Sequence, residues 1–104
     1  MIPKVFQGFI KKAFQQTESG MLVWSEGEYG SYVCDHKEFT LYIKRHFNED
    51  RDRESVIFRF RGGDKYTPFV VNDDDGDFDQ MVRFFDAVVA NANSVSDDLS
   101  KFFD

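Results

Sequence analysis

Two runs in the middle of the chain, EFTLYIKRHF at 38–47 and ESVIFRFR at 54–61, decide the fold. The apolar positions of the two runs are Phe39, Leu41, Ile43, Val56, Phe58 and Phe60. They alternate with polar or amphipathic side chains, which is typical of a strand with one buried face. The charged segment NEDRDR at 48–53 lies between the runs. The sequence therefore predicts two strands joined by a charged loop.

Further strands are predicted on both sides of this pair. Two precede it, at Met21–Glu26 and Tyr29–Asp35, and one follows it, at Lys65–Val71. The step Gly62-Gly63-Asp64 before the last strand is a strong turn signal. Pro68 has no backbone N–H to donate to a neighbouring strand, so the last strand is predicted to lie at an edge of the sheet.

Helices are predicted at both ends of the chain. Apolar residues recur at steps of three and four over 2–14, and Gly20 is typical of the residue after a helix. The same spacing occurs over Phe78–Ala92, directly after the acidic run NDDDGDFD at 72–79, and a short last helix is predicted over Ser96–Phe103. Helices therefore flank the predicted strands in the sequence.

Length and composition indicate one folded domain over residues 1–104. The chain is 41% hydrophobic and 17% aromatic, whereas disordered chains are poor in aromatic residues. The order of the elements favours the α+β class. We expect an antiparallel sheet of four to five strands, with the N-terminal helix and one or two C-terminal helices packed on one face.

The sequence carries no sign of secretion or membrane insertion. It has one cysteine, whereas small secreted domains usually carry an even set that forms disulfides. It also lacks the apolar core of a signal peptide and any run of about 18 apolar residues. We therefore expect a cytoplasmic protein without a membrane partner.

Charge is distributed unevenly along the chain. The formal net charge is −6, and all ten acidic residues after position 63 are aspartates. An acidic surface repels nucleic acid and attracts basic proteins. The candidate partner-binding residues of this surface are Asp73, Asp74, Asp75, Asp77, Asp79 and Asp86. We expect them to bind a basic protein, such as a nuclease, and we do not expect nucleic acid as the main partner.

The Asp-rich run resembles a calcium-binding loop but does not match the EF-hand pattern. If Gly76 occupies loop position six, Val71 and Val82 occupy the first and last ligand positions, where neither can bind a hard cation. An irregular Ca²⁺ or Mg²⁺ site stays open. Helix capping and solvation are the simpler explanation of the run.

Zinc and nucleophilic sites are not expected either. Cys34 and His36 share a strand face, but His46 is about 30 Å away if the two strands form a tight hairpin. The same distance argues against a Cys34–His46 catalytic pair. The sequence also lacks the common hydrolase, phosphate-binding and metalloprotease motifs. It therefore predicts no enzyme, no catalytic residues, no cofactor and no metal centre.

A second candidate surface is the outer face of the predicted sheet. Its residues are Tyr42, Lys44, His46, Arg59 and Arg61. Aromatic and basic residues interleaved on a sheet can bind single-stranded nucleic acid. The motifs of the RNA-recognition fold are absent, so this surface is an alternative to the acidic one.

In size, acidity, α+β build and absence of catalytic motifs, the chain resembles the small acidic immunity proteins of bacterial toxin systems, including contact-dependent growth inhibition. The resemblance implies a cytoplasmic antitoxin that binds and blocks one cognate toxin, often a nuclease. Phage-encoded inhibitors, such as anti-CRISPR proteins and DNA mimics, fit the same description. The basic residues Lys4, Lys11 and Lys12 and the Arg59/Arg61 pair argue against a DNA mimic over the whole surface.

Overall fold

The computed structural model describes residues 1–104 and consists of a five-stranded antiparallel sheet with helices on one face. The elements are a 3₁₀ turn at Lys4–Phe6, α1 at Gln7–Glu18, β1 at Ser25–Glu26, β2 at Ser31–His36, β3 at Phe39–Asn48, β4 at Arg53–Gly62, β5 at Lys65–Asn72, α2 at Phe78–Ala92 and α3 at Val95–Phe102. The strands lie side by side in chain order, each antiparallel to the next. This architecture confirms the predicted α+β class.

The register of the strands separates the sheet into an inner and an outer face. Leu41 lies opposite Phe60 and Ile43 opposite Phe58, and Phe58 in turn lies opposite Phe69. These side chains and their alternate neighbours form the inner face, on which α1 and α2 pack. The intervening residues form the outer face, which no helix covers.

The core is an aromatic cluster between the helices and the inner face. Phe58 is fully buried and lies at its centre, in contact with aromatic rings from the 3₁₀ turn, α1, α2 and the neighbouring strand. These rings belong to Phe6, Phe9, Phe69 and Phe84, with centroids 5.2 to 6.4 Å from that of Phe58. Aromatic residues bury more apolar surface than any other kind, which explains how so short a chain forms a stable core.

The two long helices run parallel and are joined by hydrogen bonds at both ends. At their starts, the backbone N–H of Ile2 donates to Asp77. At their ends, the Asn91 side chain donates to the carbonyls of Thr17 and Leu22 and accepts from the backbone N–H of Trp24. Asn91 therefore fixes the loop after α1 onto the end of α2.

The first strand is shorter than the predicted Met21–Glu26 and comprises only Ser25–Glu26. The preceding segment is held to the end of α2 instead, where the Asn91 side chain binds the backbone carbonyl of Leu22 and the backbone N–H of Trp24. The next strand begins at Ser31 rather than Tyr29. Tyr29 and Gly30 both have positive φ and form the turn before it.

Other local predictions are confirmed. Gly20 follows α1 with a φ of +82°, and Gly63 has a φ of +62° in the two-residue turn between β4 and β5. Pro68 lies in β5, which is an edge strand. The last helix buries no residue and leaves Phe102 and Phe103 exposed. None of the helices is long and apolar enough to cross a membrane.

Candidate interaction surfaces

The fold brings separate acidic segments together at one end of the sheet. The turn between β3 and β4, at 49–52, lies beside the end of β5, because the backbones of Asp73 and Glu54 are hydrogen-bonded. We call this region the acidic end, and its carboxylates belong to Glu49, Asp50, Asp52, Asp73, Asp74, Asp75, Asp77 and Asp79. The cationic groups nearby are the Met1 amino group, Arg51 and Arg53, together with Lys11 and Arg83, which lie beside Asp79 on the helical side. The eight carboxylates outnumber these cations, so the region has a net negative charge.

Two of the predicted partner-binding aspartates hold the N-terminus of the chain. A carboxylate oxygen of Asp75 lies 2.6 Å from the Met1 amino group and also accepts the backbone N–H of Asn72. Asp77 accepts the backbone N–H of Ile2 at 2.6 Å, and its other carboxylate oxygen is buried without a hydrogen-bond partner. These two side chains therefore have a structural role in joining the start of the chain to the entry of α2.

Two further aspartates of the run contact the start of β4. Asp73 accepts the backbone N–H of Glu54 and lies 3.3 Å from Nε of Arg53. Asp74 lies 2.8 Å from the Arg53 guanidinium, but its side chain stays 64% exposed. Asp74 is thus available to a partner, whereas the carboxylate of Asp73 is mostly engaged in contacts with Arg53 and Glu54.

The remaining carboxylates of the acidic end form no ion pair. Glu49, Asp50, Asp52 and Asp79 are all exposed. Asp86 is also exposed and lies further along α2. The pKa of Arg45 is raised mainly by a hydrogen bond to Glu54, and the negative charge of Asp86 raises it further. The loop residues at 49–52 extend the acidic surface beyond the run that the sequence analysis singled out.

The pKa of Asp75 predicts a pH-dependent contribution to stability. Hydrogen bonds from the Met1 amino group and the backbone of Asn72 lower this pKa from its ordinary value. Because the pKa is lower in the folded state, the ion pair stabilises the protein above the unfolded-state pKa and is lost as the pH falls through the folded-state pKa. Asp75→Asn is therefore expected to lower the melting temperature at neutral pH, and this deficit should shrink as the pH falls from neutral into the acid range.

Thermal unfolding followed by circular dichroism over this pH range measures the effect. Asp74→Asn is a matched control, because its exposed ion pair contributes little to stability. A deficit in Asp75→Asn that stays constant down to the acid limit would contradict the proposed role of the ion pair.

The outer face of the sheet carries every residue of the second candidate surface. In the β3–β4 register, Tyr42 lies opposite Arg59, Lys44 opposite Ile57, His46 opposite Ser55 and Thr40 opposite Arg61. All five predicted residues are therefore on the same uncovered face. Among the outer-face residues of β2 to β5, the cations are Lys44, Arg53, Arg59 and Arg61, and the single carboxylate is Asp35.

Arg59 forms the centre of this face. Its guanidinium carbon lies 4.4 Å from the centroid of the Tyr42 ring and 5.9 Å from that of Tyr66. The Tyr66 side chain is 54% exposed. Tyr66 also belongs to this surface, as do the aliphatic residues Val33, Ile57 and Val70, although the prediction from the sequence did not include them. Their alternation with inner-face residues is the signal that places them on this face.

The histidines and the cysteine are arranged as the predicted hairpin requires. Cys34 is buried on the inner face, where desolvation raises the pKa of its thiol. His36 shares the inner side of β2, whereas His46 lies on the outer face near the opposite end of β3. No three His, Cys, Asp or Glu side chains converge in an arrangement that would hold a metal ion.

Comparison of the chain with known protein families, with curated proteins and with solved structures found no match. The geometry of the two surfaces is therefore the basis for the proposals below.

Proposed function

We propose that this protein is a non-enzymatic inhibitor of the immunity type, which binds a cognate protein toxin in the cytoplasm of the cell that makes it. The observation that supports this proposal is the acidic end, where distant parts of the chain place eight carboxylates at one end of the sheet. Enzymes that act on nucleic acid bind phosphates through basic residues. A surface of this charge competes for those residues and blocks the active site.

An aromatic side chain at the acidic end provides an anchor for such a complex. Phe47 is 54% exposed and lies in β3 opposite Glu54, next to the acidic turn. Affinity in protein interfaces comes mainly from a few well-packed aromatic or arginine side chains, and charge governs the rate of encounter and the choice of partner. Phe47 and the surrounding carboxylates together supply both components. Trp24, by contrast, is buried and serves the core.

The test variant must remove charge without disturbing the fold. Asp73, Asp75 and Asp77 are unsuitable, because they make internal hydrogen bonds. The triple variant Asp50→Asn, Asp74→Asn and Asp79→Asn removes three exposed charges from the acidic end. The matched control, which we call the α3 control, is the triple variant Asp97→Asn, Asp98→Asn and Asp104→Asn. It removes three exposed charges from α3 and the residues directly after it, at the other end of the helical layer.

We expect the tagged wild type and the α3 control to capture the same basic protein from a lysate of the native host, and the acidic-end variant to lose at least about nine-tenths of it at low salt. Added free nucleic acid should compete with the wild type for this protein. Equal capture by the two triple variants would contradict the assignment of the acidic end.

A further inference from the structure

We propose that the outer face of the sheet is a second binding site, and that its ligand is a single strand of nucleic acid. This inference does not rest on the proposed inhibitor function, because the outer face is a different surface and carries positive rather than negative charge. It starts from Arg59, whose guanidinium lies between the rings of Tyr42 and Tyr66 on a face that no helix covers.

The arrangement of Arg59 suits the stacking of a base. The guanidinium lies over the Tyr42 ring, so its position is already fixed before a ligand binds. Planar arginine and aromatic side chains both stack on unpaired bases, and each such contact contributes about 1–3 kcal/mol. The exposed Tyr66 ring provides a second stacking surface on the neighbouring strand.

The charges around this platform suit a phosphate backbone. Lys44, Arg59 and Arg61 lie on the outer faces of two adjacent strands and form no ion pair. Arg53 is also on this face, but Asp73 and Asp74 already neutralise it. The unpaired cations of the outer face are therefore concentrated around the aromatic platform.

The negative net charge of the protein does not prevent this interaction at physiological salt. Arg59 lies six residues along β4 from Arg53, which directly follows the turn at 49–52, and this corresponds to about 20 Å of extended strand. The Debye length in such a solution is only about 8 Å. The binding of a phosphate at Arg59 therefore depends mainly on the neighbouring cations, because salt largely screens the charge of the acidic end.

A single strand fits this face better than a duplex. The bases of a duplex are stacked on one another and cannot reach Arg59 or Tyr66, whereas those of a single strand are free to do so. Ile57 and Val70 beside Arg59, and Val33 beside Tyr42, provide apolar contact for bases and sugars. An acidic protein surface would meet the cations, but it carries no unpaired bases to stack on Arg59 and Tyr66.

Fluorescence anisotropy with a labelled oligothymidylate of about 12 nucleotides tests the proposal. The wild type is expected to bind at low salt, and its affinity should fall with salt as expected for about three phosphate contacts. Arg59→Lys keeps the charge but loses the planar group, so it should weaken binding about fivefold or more while leaving the salt dependence unchanged.

Two controls separate this site from general electrostatic attraction. Arg59→Ala with Arg61→Ala should abolish measurable binding, whereas Lys11→Ala with Lys12→Ala removes the same charge from the helical side and should leave binding unchanged. A duplex of the same length should bind more weakly than the single strand. The proposal is overturned if the wild type does not bind the oligonucleotide, if both double variants lose binding equally, or if Arg59→Lys binds like the wild type.

Discussion

Replacement of Asn91 by leucine is expected to lower the free energy of unfolding by about 3 kcal/mol, although the side chain has a similar size. The Asn91 amide donates to two backbone carbonyls at 3.0 and 2.8 Å and accepts a backbone N–H at 2.8 Å. Leucine leaves all three backbone groups without a partner, and each unsatisfied buried group costs about 1–3 kcal/mol. Because these groups are only partly buried, the lower end of that range applies to each.

Urea denaturation of the wild type and the variant measures this difference. Asn93→Leu is the matched control, because its side chain is exposed and makes no hydrogen bond. We expect it to change stability by less than about 0.5 kcal/mol. Asn91→Asp should be at least as harmful as the leucine variant, because a carboxylate keeps the acceptor but places negative charge against two carbonyls. A stable Asn91→Leu protein would show that this junction is not essential to the fold.

Replacement of Phe58 by alanine is expected to have the largest effect on stability, a loss of about 3–5 kcal/mol. Phe58 is fully buried and packs against rings from both long helices and from β5. The smaller side chain loses these contacts and leaves a cavity that rigid neighbouring rings cannot fill. Since small domains are stable by only about 5–15 kcal/mol, this variant will be close to unfolding at room temperature.

Phe47→Ala is the control for this prediction, because Phe47 belongs to the adjacent strand but is about half exposed. It should lower the unfolding free energy by no more than about 1 kcal/mol. Phe58→Leu keeps most of the volume and should fall between the two alanine variants. Equal losses in Phe58→Ala and Phe47→Ala would contradict the central position of Phe58 in the core.

The three long strands β3, β4 and β5 and the acidic end can be derived from local sequence patterns. Alternation at 38–47 and 54–61 defines the two faces of the sheet, and the glycine turn at 62–64 reverses the chain. Successive hairpins alternate between the two ends of a sheet. Counting them places the turn at 49–52 beside the end of β5, so the extension of the acidic surface by this turn was available from the sequence.

The junctions between distant segments could not be derived in this way. In the sequence, Asn91 looks like an ordinary polar residue of a helix. Its hydrogen-bond partners lie 67 to 74 positions earlier in the chain. The roles of Asp75 and Asp77 likewise depend on the backbone of the first two residues. Periodicity also does not distinguish the neighbours Phe84 and Phe85, of which Phe84 is fully buried. Each of these features depends on how α1 and α2 pack, which is set by the whole core.

The association rate with the captured partner tests the proposed function most directly. We would measure it by stopped flow at low and high ionic strength for the wild type, the acidic-end variant and the α3 control. The proposal predicts that the acidic-end variant associates at least about tenfold more slowly at low salt, and that this difference shrinks at high salt. If the acidic-end variant and the α3 control associate at the wild-type rate under both conditions, the acidic end is not the surface that the partner meets.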